Sequence, residues 1–493
     1  MTNQQSSYRQ IMKATSIFGG VQVLQIIIGI IRSKFIAILL GPLGMGISGL
    51  LTSTIGFVAA LTNFGLSTSA VKDISAAHST GNEIRLATVT KVFRRWVWIT
   101  GGLGAVLTAA LSPLLSELTF GNRDYTFAFI WISITLLLNQ ISDGQSVLLR
   151  GTRQIRYMAQ AGMFGSVMGL ITSIPLYYYY GIQGIVPAII VTSSTTLALS
   201  WYFARKLNIK PIYVSKARTL AEGKGMLKMG FMISLSGLIT LGAAYVVRIY
   251  ISNTGGVDQV GLYNAGFAII NTYVGMVFTA MGTDYYPRLS GVAHSNSKSR
   301  EVINQQAEIA ILILAPIILF FLVFINWIVI ILFSKQFMPI NDMILFAALG
   351  MLFKAATWAI GFVFLSKGAS KIFFWSEVLS NSYFLIFNII GYKLWGLTGI
   401  GLSFMFSYIF SMIQVYMIAK IKFQFSFAPA FYKIFILHFS LALVCLLAVK
   451  LLPSPFSYTV GSLFIVASAY FAYKELDKRL DIKSLITSLQ RKL

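Results

Sequence analysis

Residues 304–333 read NQQAEIAILILAPIILFFLVFINWIVIILF, and after Glu308 no charged residue appears until Lys335. A hydrocarbon core of about 30 Å needs roughly 20 apolar residues in a helix rising about 1.5 Å per residue, so this stretch predicts a membrane-spanning helix. Similar stretches recur near residues 14–40, 44–70, 92–112, 125–149, 157–180, 184–204, 227–252 and 260–285. Beyond 304–333 they continue near 341–366, 372–391, 396–419, 431–451 and 456–473. The chain therefore reads as an all-α polytopic membrane protein with about 14 transmembrane helices. A β-barrel would alternate over segments of about ten residues, and these runs are longer and continuous. The first span carries Arg32 and Lys34 and runs into Gly41-Pro42 without a small-residue cleavage site. It reads as a membrane helix, not a secretory leader.

Composition agrees. Of 493 residues, 56% are hydrophobic and only 11% charged, against roughly 25% charged in soluble domains. That excludes a water-soluble enzyme, and so apolar a chain does not stay disordered in water. Lys and Arg number 39 against 15 Asp and Glu, a formal net charge of +24. The placement of these residues predicts topology. Arg9 and Lys13 precede the first span, and basic residues then crowd alternate connections: 72–95, 150–156, 205–228, 288–300, 367–371, 420–433 and the tail. The opposite loops hold Arg123, Lys335, Lys393 and Lys450. Basic loops stay in the cytoplasm, so both termini are expected there. The charge is chiefly a topology signal. Nucleic-acid binding would need it gathered on one folded surface.

Metal and redox chemistry find no support. Cys445 is the only cysteine, and His78, His294 and His438 have no partner at metal-ligand spacing. His438, alone in a helix, is expected to be a packed or hydrogen-bonded residue. No GxxxxGK[ST] occurs, so the chain does not hydrolyse ATP through a P-loop. No cofactor is implied.

Internal repetition organises the chain. Gly46-Ile47-Ser48-Gly49 follows the first span and Gly261-Leu262-Tyr263-Asn264 the seventh. Arg32 and Arg248 lie 216 residues apart, Arg150-Gly151 and Lys367-Gly368 lie 217 apart, and YYGIQGI and LWGLTGI place Gly181 and Gly396 215 apart. These landmarks predict two pseudo-symmetric six-helix lobes, residues 1–215 and 227–425, joined by a basic linker at 216–226. Two further spans (426–475) and a basic tail (476–493) lie outside the repeat. Six is even, so the copies are expected to share one orientation.

Polar residues inside spans are the candidate site. Gln22, Gln25, Gly29 and Arg32 share a helical face, whereas Lys34 points elsewhere and is expected to snorkel outward. Thr52, Gly56, Ala59 and Asn63 form a small-polar stripe, and Asn139, Asp143, Ser146 and Arg150 form another. Asn264 and Asn271 lie two turns apart, and Lys354 is near the middle of its helix. A charge at the bilayer centre costs roughly 2.5–3.5 kcal/mol or more, so it faces water or a partner. Bland readings stand beside the functional one. Arg32 and Arg248 are near outer ends and can snorkel, Asp143 can neutralise a neighbouring cation, Glu377 and Glu308 can be interfacial, and Asn, Thr and Gly stripes serve helix packing. If Arg32, Arg248 and Lys354 face one lumen, it is cationic and attracts phosphate or carboxylate, which Arg grips in bidentate fashion.

These residues sit in segments that resemble a known group. They are RSKFIAILLGPLGMGISGL (32–50), VKDISAAHSTGNE (71–83), LTFGNRDY (118–125), YYPRLSGVAHSNSKSREVINQQ (285–306), FSKQFMPINDMILFAALGMLFKAATW (333–358) and FVFLSKGASKIFFWSEV (362–378). Taken in order, they resemble the polysaccharide-exporting branch of the multidrug/oligosaccharidyl-lipid/polysaccharide (MOP) superfamily, and within it the Wzx-type flippases of O-antigen and enterobacterial common antigen. The resemblance implies a MATE-like V of two lobes and a central cavity. It implies a transporter, not an enzyme, in the bacterial inner membrane, flipping undecaprenyl-diphosphate-linked oligosaccharide from the cytoplasmic to the periplasmic leaflet by alternating access. It places Arg32 and Arg248 at basic cavity positions and Glu377 at an acidic one; Gln25, Asn63, Asn139, Asp143 and Asn271, read from the polar stripes, are the candidate polar or coupling groups beside them. Membrane lipids and polysaccharide polymerase machinery are the partners it suggests. The alternatives are a lipid II flippase and a cation-coupled multidrug antiporter, whose lumen would be acid-dominated. An integral-membrane glycan polymerase or ligase would want a large periplasmic loop with catalytic groups, and the outer loops here are short.

Overall fold

A computed structural model describes residue 21 and residues 23–480, and every regular element in them is helical. Gln22, Arg9, Lys13 and the tail beyond residue 480 lie outside the described residues. The helices are α1 (23–39), α2 (Gly41–Thr62), α3 (Leu66–Ser79), α4 (Glu83–Ala110), α5 (Ser112–Phe120), α6 (Thr126–Gly151), α7 (Ile155–Tyr180), α8 (Ile185–Arg205) and α9 (Lys216–Gly255). They continue as α10 (Val257–Phe267), a π-helical stretch Ala268–Val274, α11 (Met276–Gly291), α12 (Asn296–Leu332), α13 (Asn341–Ser366), α14 (Ser370–Phe423), α15 (Pro429–Leu451) and α16 (Phe456–Leu480).

Among the described residues, ten helical stretches are long and apolar enough to cross a membrane, or eleven if α4 and α5, bent by 69°, form one span. Two of the ten, Ile155–Arg205 and Ser370–Phe423, each hold two expected spans joined at a glycine. Each expected span thus has a helical counterpart, that of the first being the described part of α1. The second span departs from its expected continuity. Asn63, Phe64 and Gly65 interrupt it, with Phe64 at φ 50° and Gly65 at φ 62°. The Asn63 carboxamide accepts the Gly65 N–H at 2.7 Å. A Cβ on Gly65 would strike the backbone of Gly230, so α9 presses on the break.

The chain divides into two compact units, Met1–Gly261 with Leu332–Ser334, and Leu262–Ile331 with Lys335–Leu493. In the first, Leu66, Ile74, Phe93, Val97, Leu148 and Met226 build a core where α3, α4, α6 and α9 meet. Polar bonds cross it: Gln140 donates to Thr100 at 3.1 Å, and the Tyr245 hydroxyl pairs with Thr54 and Thr119. In membranes such bonds contribute modestly, about 0.6 kcal/mol on average. Small residues allow close helix approach. A Cβ on Gly261 would lie 2.9 Å from the Gly46 amide nitrogen, so the two repeat-related glycines pack backbone to backbone.

In the second unit α13 is the central helix, with 83% of its apolar window buried. It packs on α14 through Gly350, whose Cβ would meet the Met405 backbone at 2.9 Å, and through Gly401 against Met343. His438, fully buried on α15, pairs through Nδ1 with the Ser468 hydroxyl of α16 at 3.0 Å. Glu308 on α12 is also buried and pairs with Arg479 of α16 at 2.9 Å. Lys367, just past α13, donates to the Ala293 carbonyl at 2.6 Å and the Asn296 side chain at 2.8 Å. Partial burial lowers its pKa.

Candidate functional site

In the first unit, Arg32 and Arg248 stand on different helices. Arg32, on α1, donates to the Tyr177 hydroxyl of α7 at 3.4 Å. A guanidinium has five N–H donors, so this one long bond leaves most of its donor edge for other acceptors. Arg248, on α9, donates to the Ala244 carbonyl one turn back at 3.0 Å. Both side chains are half-buried. Lys34 does not simply reach outward: its ammonium donates to the Phe333 carbonyl, in the short stretch Leu332–Ser334 that belongs to the first unit.

Gln25, Asp143, Ser146 and Arg150 come together. They line a cavity of about 220 Å³ with Ser142 and Ser200, which hydrogen-bond to each other at 3.0 Å. Gly162 makes room for the Gln25 carboxamide, since a Cβ there would lie 2.6 Å from its nitrogen. The α6 stripe thus delivers Asp143, Ser146 and Arg150 to one wall, as the i, i+3, i+7 spacing requires. Asn139, one turn before Asp143 on α6, is exposed and does not line this cavity. Asn63 caps the break between α2 and α3.

In the second unit, Lys354 and Asn271 meet. The Lys354 ammonium donates to the Asn271 side-chain oxygen at 3.0 Å. Three aromatic rings surround it: Tyr408 at 5.4 Å, and Phe278 and Phe404 each at 5.7 Å from the charge. Ring faces attract a cation by their quadrupole, each contributing about 0.5–1 kcal/mol where water still reaches. Asn271 is exposed, and Lys354 is half-buried. Asn271 stands on the π-helical stretch Ala268–Val274, where the wider turn re-aims side chains, a feature frequent at functional sites. Glu377, half-buried on α14, offers its backbone carbonyl to the Asn381 side chain at 2.9 Å.

Sequence reasoning missed the aromatic ring set and Tyr177. Two signals were present. Phe404 and Tyr408 are one helical turn apart, and Phe278 follows Asn271 by two turns, so each pair shares a face. No clusters of three or more His, Cys, Asp or Glu side chains suited to a metal occur among the described residues.

With this geometry in view, known proteins place the chain. It is 20% identical over 368 residues to a lipid III flippase of Escherichia coli K12, covering 73% of this chain and 86% of that protein. It is 23% identical over 290 residues to a Shigella flexneri protein assigned as an O-antigen transporter, covering 58% and 68% respectively. Among solved structures, the lipid II flippase MurJ in an inward closed conformation superposes with a TM-score of 0.69 at 12% identity, over 94% of this chain and 99% of that one. At that identity the likeness shows the fold alone: the all-α membrane architecture expected from the MOP resemblance. A family model described as polysaccharide biosynthesis protein matches residues 35–342. The match covers more than half of the sequence, and the chain therefore belongs to the polysaccharide biosynthesis protein family.

Proposed function

We propose that this protein is a flippase that carries a lipid-linked oligosaccharide, the repeat unit of a surface polysaccharide, from the cytoplasmic to the periplasmic leaflet. One observation carries the reading beyond family membership. Lys354 is an ammonium held mid-helix by Asn271 and three aromatic rings while remaining open on one side. A membrane protein keeps such a charge only for a partner. An ammonium attracts phosphate, and rings beside it offer apolar faces on which sugar C–H groups stack. A cationic drug would be repelled by the same group, which disfavours the antiporter reading.

In this reading Arg32 and Arg248 bind the diphosphate, and Lys354 with Asn271 contacts the same substrate. Asp143, Arg150 and Gln25, which share a cavity, are the candidates for coupling to an ion or proton. The lipid tail stays in the bilayer while the headgroup is exposed alternately to the two leaflets. An O-antigen-type glycan is favoured over lipid II, because both sequence relatives handle other cargo by name and the MurJ likeness is one of fold.

The test is complementation of a strain lacking its O-antigen flippase, scoring surface glycan. Wild-type protein restores export, and an Arg32→Ala/Arg248→Ala double variant at equal membrane abundance does not. Normal export by the double variant removes the phosphate-binding role. Drug resistance conferred without glycan export overturns the flippase reading.

A further inference from the structure

One cavity of the first unit is lined by none of the residues assigned above. It has a volume of about 690 Å³ and is lined by α4, the α8–α9 connection and the start of α9. Its cations are Lys91, Arg94, Arg95, Lys210 and Lys216, and no acidic side chain lines it.

The cavity is built rather than incidental. Arg95 donates to the Val214 carbonyl at 2.8 Å and to the Thr219 hydroxyl at 2.6 Å, and the Trp96 indole donates to the Thr219 carbonyl at 3.0 Å. These bonds clamp the connection onto α4 through Nη1 of Arg95 and the Trp96 indole. Lys210 forms a loose pair with Glu83 at 3.5 Å, both largely exposed. Lys91, Arg94 and Lys216 have no carboxylate partner among the described residues.

The arrangement has two ends. Lys91, Arg94 and Trp98 follow one another at i, i+3 and i+7, so they share a face of α4. Four residues along a helix is about 6 Å, which separates the cations from Trp98 by about the depth of a headgroup. Beyond the charges the wall is apolar and open: Trp98 is 58% exposed, Ile99 54% and Leu220 60%. Tryptophan is enriched where a membrane helix meets the headgroups, its ring apolar and its N–H polar. Bare cations at one end and exposed apolar side chains at the other match a lipid that is anionic at the head and apolar in the tail. A water-soluble anion would leave Trp98 and Leu220 without a partner.

We propose that this cavity binds the phosphate headgroup of an anionic phospholipid of the cytoplasmic leaflet, with its acyl chains along Trp98, Ile99 and Leu220. The bound lipid bridges α4 to the connection ahead of α9. The site is separate from the transport residues, and its test does not depend on the flippase reading.

The experiment uses the full-length protein in zwitterionic nanodiscs. Phosphatidylglycerol is titrated against phosphatidylcholine, with bound lipid counted by native mass spectrometry and stability read from the melting temperature. Wild-type protein is expected to retain phosphatidylglycerol over phosphatidylcholine and to melt higher with it. A Lys91→Gln/Arg94→Gln/Lys216→Gln variant is expected to bind it at least about tenfold more weakly. Lys420→Gln/Lys422→Gln, which removes two basic residues outside the cavity, should bind as wild type. If the triple variant does not fold, Arg94→Gln alone is scored the same way. Equal retention by wild type and cavity variant overturns the proposal, as does equal weakening by the Lys420/Lys422 control. Displacement of the lipid by millimolar inorganic phosphate also overturns it, by showing a site for free anion.

Discussion

Gly181 and Gly396, 215 residues apart in sequence, adopt the same backbone conformation: φ 55° with ψ −132° at one, φ 56° with ψ −136° at the other. Each reverses the chain between two long helices, and each is followed three residues later by a second glycine packed on the preceding helix. A Cβ on Gly184 would meet the Leu176 carbonyl carbon at 2.8 Å, and one on Gly399 would collide with Gly391. These positions keep the offset of 215. So do Arg153 and Gly368, at φ 57° and 68°. The structure thus pairs Gly368 with Arg153, where motif matching alone pairs it with Gly151. The same turns are built twice from little shared sequence.

The conformation at Gly181 and Gly396 is one that side chains with a Cβ avoid, at a cost of about 1–3 kcal/mol. Gly181→Ala and Gly396→Ala should each lower the melting temperature of the purified protein. Ala at Gly237, which has open space around it and no positive φ, should leave melting unchanged. A Gly396→Ala protein that melts with wild type would show that the turn tolerates a Cβ.

Lys354 is the sharpest functional test in the second unit. Lys354→Met keeps the chain length and removes the charge. Trading a partly sheathed charge for an apolar group is often neutral to stability. Glycan export in the complementation assay should fall by at least about tenfold, the scale expected from losing one charge-assisted contact, with melting little changed. Lys354→Arg should retain part of the activity. Export at wild-type level by Lys354→Met would reassign the residue to packing.

Glu308 and Arg479 tie the last helix to α12. Their side chains are 10% and 25% exposed, and Arg479 is also held by Glu475. Breaking a buried pair by removing one partner costs about 3 kcal/mol. Arg479→Leu and Glu308→Leu should therefore each reduce thermal stability clearly, and Glu308→Leu/Arg479→Leu should lose less than the two single changes combined. Additive losses in this double-mutant cycle would mean that the two side chains act independently.

Topology can be read with one thiol at a time. Cys445 is the only cysteine and is buried, so Cys445→Ala provides a clean background. In it, Lys298→Cys should react with an impermeant maleimide only in inverted vesicles, and Asp124→Cys only in intact spheroplasts. Both positions are exposed. The opposite pattern would reverse the orientation inferred from the basic loops.

Much of this protein was decided by the order of its residues. Long apolar runs admit no structure in a bilayer except helices, because each backbone N–H and C=O must be satisfied within its own segment. Helix number and approximate limits were therefore legible, as was the repeat, since a turn that only glycine accepts leaves glycine in the sequence. Lys354 stood out because a charge amid apolar residues is rare. Its rings did not: the chain holds 38 Phe and 23 Tyr, and the turn spacing of Phe404 and Tyr408 is too common among them to single them out. Asn63 read as one more polar residue in a stripe, yet Gly230 presses on the break it caps, and that contact spans more than 160 residues. Nothing near Glu308 in sequence marks its partner, since Arg479 comes from the far end of the chain. Periodicity and composition determine which segments enter the membrane. Only the tertiary structure decides which side chains meet there, because helix faces separated by long stretches of chain are brought together by packing that no local pattern records.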